Sequence, residues 1–293
     1  MHYHAGMENL VTTFGVLFVL ALLVLWWYSR RNAMQTGIDP SHIDLLLPLA
    51  LAGSIVGGTL LSMLMPDDRQ IAGEVLQVDT RIRLFGLVIS GAVVVFAYSR
   101  VAKLSFRKLL DVLALPMIAA LIVHRAGCFI AGCCWGDISV IDPGLSAIAA
   151  SSVGVQVQTL PWLAGDWVLT GVSYGPGTFP FQQQLAIGLI DADATQSLPV
   201  HPVQLYEAAL LGVFLLLFWR TSPTRYAPGT IALLTIVAYA GIRFVVEYLR
   251  ADGNIVFGMH TATQLQCVAL LVLGGGLGMI LRHAPHHQHS GPE

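Results

Sequence analysis

The sequence predicts an all-α integral membrane protein. It would be a seven-transmembrane-helix bundle with its N-terminus outside and its C-terminus inside, carrying a small extracytoplasmic cap between helices 4 and 5. Three observations carry this expectation. Hydrophobic residues make up 55% of the 293-residue chain, charged residues only 11%, and mean hydropathy is +0.71, outside the range of soluble domains. Seven apolar runs have the length to cross roughly 30 Å of hydrocarbon. The lysines and arginines of the connections fall unevenly on the two sides those runs define.

The first run, Leu10–Tyr28, follows a segment without Lys or Arg and precedes Arg30 and Arg31, the reverse of a cleavable signal peptide's charge order. Ile43–Met65 comes next; its Gly53, Gly57 and Gly58 have the small-xxx-small spacing that lets helices pack closely. Leu84–Val101 and Leu109–Ile130 are the third and fourth runs, Gln204–Trp219 and Gly229–Leu249 the fifth and sixth. Thr263–Leu281, with Gly274, Gly275, Gly276 and Gly278, is the last. Arg30, Arg31, Arg100, Lys103, Arg107, Lys108, Arg220, Arg225 and Arg282 lie on one side. The other side holds Arg69, Arg81, Arg83 and Arg250, while residues 131–200 contain no Lys or Arg, so the first side is cytoplasmic. Residues 131–200 are too long for a turn and predict the cap, with short strands at Val153–Thr159 and Trp167–Val172. The whole chain reads as a single membrane domain ending in a disordered tail, 283–293, whose histidines are a lesser candidate for a metal-binding tract.

A net charge of −2 with no basic face excludes a nucleic-acid partner. Four cysteines without a CxxC motif do not make a disulfide framework. Cys128, Cys133 and Cys134 are read as a permitted disulfide on an oxidising side or as small residues filling close helix contacts. No histidine stands at useful spacing from them, so no metal site is expected there and no cofactor is implied; a redox or metal protein built on these three cysteines is the lesser reading.

Ionisable groups inside apolar runs mark functional sites in membrane proteins and require partners. Three stretches hold them: His124 to Asp137, His201 to Glu207, and Gly241 to Arg250. With the predicted topology Arg125, His201, Glu207, Arg243, Glu247 and Arg250 all reach the outer leaflet; Arg243, Glu247 and Arg250 share one helix face. A purely structural pairing of Arg125 with Glu207 and Arg243 with Glu247 would lower the cost of burial. The alternative is an anion site, because arginine's forked, permanently charged donors suit a lipid phosphate. His201, just before Pro202, could transfer protons or cap a helix, and Tyr206 could be an interfacial belt residue or a hydroxyl donor.

These stretches resemble the prolipoprotein diacylglyceryl transferase family, over most of the chain. The family's Arg-x-Gly-Asn-Phe-x-x-Gly-x-x-x-Gly is similar to Arg125-Ala126-Gly127-Cys128-Phe129 through Gly132 to Gly136. Its His-Pro-Ser-Gln-Leu-Tyr-Glu is similar to His201–Glu207, and its Phe-Arg-x-x-x-Glu-x-x-Arg to Ile242-Arg243 through Glu247 to Arg250. The resemblance implies a bacterial inner-membrane enzyme that moves diacylglyceryl from phosphatidylglycerol to the lipobox cysteine of a prolipoprotein. It implies Arg125 and Arg243 as the phosphate-binding residues, with Glu207 and Glu247 holding them. Catalytic roles fall to Arg125, Arg243, His201 and Glu207, and substrate binding to Gly127, Cys128, Gly132, Gly136, Gln204, Tyr206, Glu247 and Arg250. The implied partners are phosphatidylglycerol or another anionic phospholipid and a prolipoprotein signal peptide. This chain departs from the family at Cys128, where the family has asparagine, and around Cys133-Cys134. It departs also at Arg83-Leu84-Phe85-Gly86-Leu87, where a His-Gly-Gly is missing, and at Phe14-Gly15 in place of Tyr-Gly. The missing histidine leaves a second possibility: a catalytically idle relative that binds lipid as a subunit of a larger membrane complex.

Overall fold

The computed structural model describes residues 2–64, 80–138, 171–250, 255–257 and 260–283. The elements in chain order are α1 (His2–Thr36), α2 (Ser41–Leu64), α3 (Thr80–Val101), α4 (Phe106–Ala131), α5 (Phe179–Ala186) and α6 (Val203–Phe218). A 3-10 turn at Pro223–Arg225, α7 (Thr230–Glu247), the antiparallel pair β1 (Ile255–Phe257) and β2 (His260–Thr261), and α8 (Ala262–His283) complete them. Among the described residues four helices are long and apolar enough to cross a membrane, over Thr13–Thr36, Ser41–Leu61, Phe106–Ala131 and Thr230–Glu247. Ile89–Val101, Val203–Phe218 and Thr263–Gly274 are shorter apolar helices. This is a helical, multi-pass membrane protein.

Each helix of this set lies on a predicted run, and the first shows where sequence reasoning stopped short. Instead of ending before Arg30 and Arg31, α1 continues to Thr36. The charge is absorbed locally: Arg30 pairs with Asp44, which also accepts from Trp26 Nε1 at 2.7 Å, and Asn32 donates to the Val112 carbonyl at 3.2 Å. The helix stops where glycine permits it. Gly37 turns left-handed at φ 73°, and Ile38 N–H returns to the Ala33 carbonyl at 3.0 Å, which satisfies an otherwise orphaned acceptor.

Of the two predicted strands, Val153–Thr159 lies outside the described residues. Within Trp167–Val172, the described Val172 makes a single bridge to Val200, which also bridges Ile138. The described end of the 131–200 connection instead forms α5.

The chain divides into two compact units. One comprises Leu25–Pro116 and Thr221–Ala232. Its core is Ala33, Ile38, Ile43, Leu46, Val95, Leu109 and Val112. Gly53 belongs to packing: a Cβ there would stand 2.5 Å from Val94 Cγ2, so only glycine lets α2 approach α3 this closely. Asp111 accepts from Gly229 N–H at 2.6 Å and Ala232 N–H at 2.8 Å, placing a carboxylate on the donors at the start of α7.

The other unit comprises Met1–Val24, Met117–Arg220 and Leu233–Glu293. Its polarity is inverted relative to a soluble domain. Leu216 and Leu217 are 70% and 73% exposed, whereas Gln204, Glu207, Glu247, Thr261 and Gln264 are buried. Lipid as solvent explains this: apolar side chains cost nothing outside, and polar groups must find partners within.

Candidate active site

The site is built on the exit from α4. The helix ends in a paired return, Gly132 N–H to Phe129 O and Cys133 N–H to Cys128 O, both at 3.1 Å, with Gly132 left-handed at φ 65°. Two residues on, Cys134 is also left-handed, at φ 59°. For a residue with a Cβ that conformation costs about 1–2 kcal/mol. The chain then threads Gly136 and Asp137 between the other two motifs. Gly136 N–H donates to His201 O at 2.9 Å, Asp137 N–H to Leu249 O at 2.8 Å, and His201 N–H to Asp137 O at 2.9 Å. A Cβ on Gly136 would stand 2.6 Å from both the His201 and the Leu249 carbonyl oxygens. Glycine is required because three backbones meet there.

This junction fixes the carboxylates and arginines. Glu207, in the first turns of α6, accepts from Arg125 Nη2 at 2.8 Å. Arg243 Nη2 stands 2.6 Å from Glu247 Oε2, one turn along α7, and Arg250 Nε lies 3.9 Å from the same oxygen. The other Glu247 oxygen accepts from the Thr261 hydroxyl at 3.0 Å. Each arginine therefore has a carboxylate, and the carboxylates are almost fully buried. Neither guanidinium is saturated: Arg125 Nε and Arg243 Nη1 are buried without a hydrogen-bond partner.

Several expected site residues act through the backbone or by packing. Gln204 Nε2 donates to Cys133 O at 2.7 Å, tying α6 to the α4 exit. Gly132 faces Tyr174 and Thr178, and Gly127 lets α4 pack against Phe14 and Leu17 of α1. The Tyr206 hydroxyl is buried without a partner, and its ring stands 6.3 Å from that of His201. His201 Nδ1 is also unpartnered, and burial holds the imidazole below its ordinary pKa, favouring the neutral form.

Cys128, Cys133 and Cys134 are all free thiols, with Sγ atoms within 4.8 Å of one another. Cys133 Sγ donates to the Cys128 carbonyl at 3.6 Å, and the neighbouring Cys128 and Cys133 thiols, helped by Arg250 and Arg125, hold Cys134 well below the ordinary thiol pKa. His124 Nε2 lies 3.5 Å from Cys128 Sγ. Its ring packs edge-on against Phe14 and Phe18.

Tyr239 was not singled out from the sequence. Its hydroxyl lies within the electrostatic reach of Glu207, Arg125 and Arg243, and so near both charge pairs. The available signal was its position four residues before Arg243, on the same helix face.

Comparisons with known proteins identify the family. The family model described as prolipoprotein diacylglyceryl transferase matches residues 5–281. A phosphatidylglycerol–prolipoprotein diacylglyceryl transferase of Nitratidesulfovibrio vulgaris (strain DSM 19637 / Miyazaki F) is 27% identical over 281 residues, covering 92% of this chain and 88% of the relative. One from Chromohalobacter salexigens is 27% identical over 282 residues, covering 93% and 88%. Another from Clostridium tetani is 23% identical over 268 residues, covering 89% of each chain. The relatives carry an enzyme's name over nearly their full length, which does not favour the idle-subunit alternative. With its three motifs joined at Gly136 and its arginines held by Glu207 and Glu247, the chain belongs to the prolipoprotein diacylglyceryl transferase family.

Proposed function

We propose that this protein transfers the diacylglyceryl group of phosphatidylglycerol to the lipobox cysteine thiol of a prolipoprotein. Seven helices would span the bacterial inner membrane, with the site facing the outer leaflet. The observation that carries this is the pair of unsaturated guanidiniums: Arg125 Nε and Arg243 Nη1 are buried donors without acceptors. A buried donor without a partner costs about 1–3 kcal/mol, more when charged. A phosphate held by the two arginines would accept from both, with the Tyr239 hydroxyl, which feels both of their charges, as a further donor.

In the reaction the acceptor thiolate attacks the diacylglyceryl carbon bonded to the phosphate oxygen. The C–S bond forms, the C–O bond breaks, and glycerol phosphate leaves with the electron pair. Arg125 and Arg243 stabilise the charge gathering on the departing phosphate, the largest contribution open to this site. Glu207 and Glu247 keep the guanidiniums in place. His201, kept neutral by burial, takes the thiol proton. Cys128, Cys133 and Cys134 are not the nucleophile, because the reacting thiol comes from the substrate.

Purified protein in vesicles of acyl-labelled phosphatidylglycerol, given a lipobox peptide, tests this. Label should move to the peptide; label that stays in lipid over folded protein would contradict it.

A further inference from the structure

We propose that Cys128, Cys133 and Cys134 form a binding site for one thiophilic closed-shell metal ion, Cu(I) or Zn(II), at the C-terminal end of α4. Three thiolates on one ion at about 2.3 Å stand roughly 3.8–4 Å apart. The Sγ atoms already lie within 4.8 Å of one another, close to that spacing.

The backbone makes this cluster. Cys128 occupies the last turn of α4; the left-handed Gly132 folds Cys133 back onto the Cys128 carbonyl, and the left-handed Cys134 completes the turn. Thiols that only filled space would not require a Cβ-bearing residue at φ 59°, which glycine would occupy without strain. Such strain persists where surrounding structure holds it for function. Cys128 is buried, while Cys133 and Cys134 are half-buried.

The surroundings fit an anionic thiolate complex. Arg125 and Arg250 both act electrostatically on Cys134 and would offset its negative charge. His124 Nε2, 3.5 Å from Cys128 Sγ, is at hand as a fourth donor or as a hydrogen bond to the bound thiolate. An all-thiolate set selects soft ions over magnesium, calcium or manganese. Binding releases the thiol protons to solvent and consumes no other reactant.

The full-length protein, purified in detergent under reducing conditions and stripped of metal, should bind one equivalent of Co(II), used as the zinc probe. Binding should produce thiolate-to-cobalt charge-transfer absorption, and the protein should also take Cu(I) from a chromophoric chelator. Cys128→Ser and Cys133→Ser should each weaken binding by about 100-fold or more, and Cys267→Ser should leave it intact. Cys134→Ser serves in place of either variant that fails to elute as folded protein. Absence of the charge-transfer band would overturn the proposal. So would undiminished binding in Cys128→Ser, which would assign the metal to the histidine-rich tail, or a disulfide among the three thiols that re-forms in preference to metal uptake.

Discussion

Arg125 and Glu207, 82 residues apart in sequence, are joined by an Nη2–Oε1 hydrogen bond of 2.8 Å between side chains that are 11% and 1% exposed. In a pair buried to this degree, removing one member leaves the other uncompensated. Glu207→Gln is therefore expected to destabilise the protein by about 3–5 kcal/mol. Arg125→Ala should cost a similar amount, and the double variant less than the sum of the two. Thermal unfolding in one detergent, compared across the three variants, checks this; additive losses would mean that the pair is not coupled.

Gly136→Ala should damage folding and activity together, although the residue carries no side chain. Its Cβ would meet two carbonyl oxygens at 2.6 Å, and the backbones of His201 and Leu249 cannot yield without breaking their hydrogen bonds to residues 136 and 137. Overpacking of this kind costs about 1–3 kcal/mol or more. Yield of monodisperse protein and its melting temperature read the effect, which should exceed that of Gly212→Ala, where an added Cβ would meet nothing.

Burial lowers the His201 pKa below 6.5, so the imidazole stays neutral at neutral pH and remains a base somewhat into acid. Transfer activity should hold as pH falls through 6.5 and decline only at a lower apparent pKa. His201→Asn should remove that acid limb together with most of the rate. The stability sign is the same: below pH 6.5 the unfolded chain binds a proton that the folded histidine refuses, so this contribution is present above 6.5 and lost as pH falls toward the lowered value. A pH profile unchanged in His201→Asn would remove the residue from proton transfer.

Much of the candidate site was legible because membrane burial makes charge informative. Arg125, Glu207, Arg243 and Glu247 stood out as ionisable groups in apolar runs, and an i,i+4 spacing paired the last two before any coordinates. The three cysteines stand together in the sequence, but the convergence of their thiols was not legible. It depends on two left-handed residues, Gly132 and Cys134, and the sequence announces only the glycine. The relation of His124 to Cys128 was missed because it is a helical i,i+4 contact, not a ligand spacing of the finger type. Tyr239 was hidden among many apolar and aromatic residues of α7. Arg30 marks a boundary charge in the sequence, but α1 runs past it because Asp44 absorbs it.

The unequal distribution of Lys and Arg predicts that residues 131–200 lie outside the cytoplasm and that Lys103 faces in. In a background lacking the native cysteines, a Ser151→Cys probe should react with an impermeant maleimide added to intact cells, and a Lys103→Cys probe only after permeabilisation. The opposite pattern would invert the topology and move the site to the inner leaflet.

The central claim is that Arg125 and Arg243 grip the phosphate of the lipid donor. Arg243→Lys keeps the charge but loses the fork that matches phosphate oxygens. The decisive measurement is the rate of diacylglyceryl transfer from phosphatidylglycerol to a lipobox peptide, for the wild-type protein and for folded Arg243→Lys and Arg125→Lys variants in the same vesicles. The expected result is transfer by the wild type and a loss of about tenfold or more in each variant, equivalent to about 1.4 kcal/mol of transition-state binding. Transfer by both lysine variants at the wild-type rate, or none by folded wild-type protein, would contradict it.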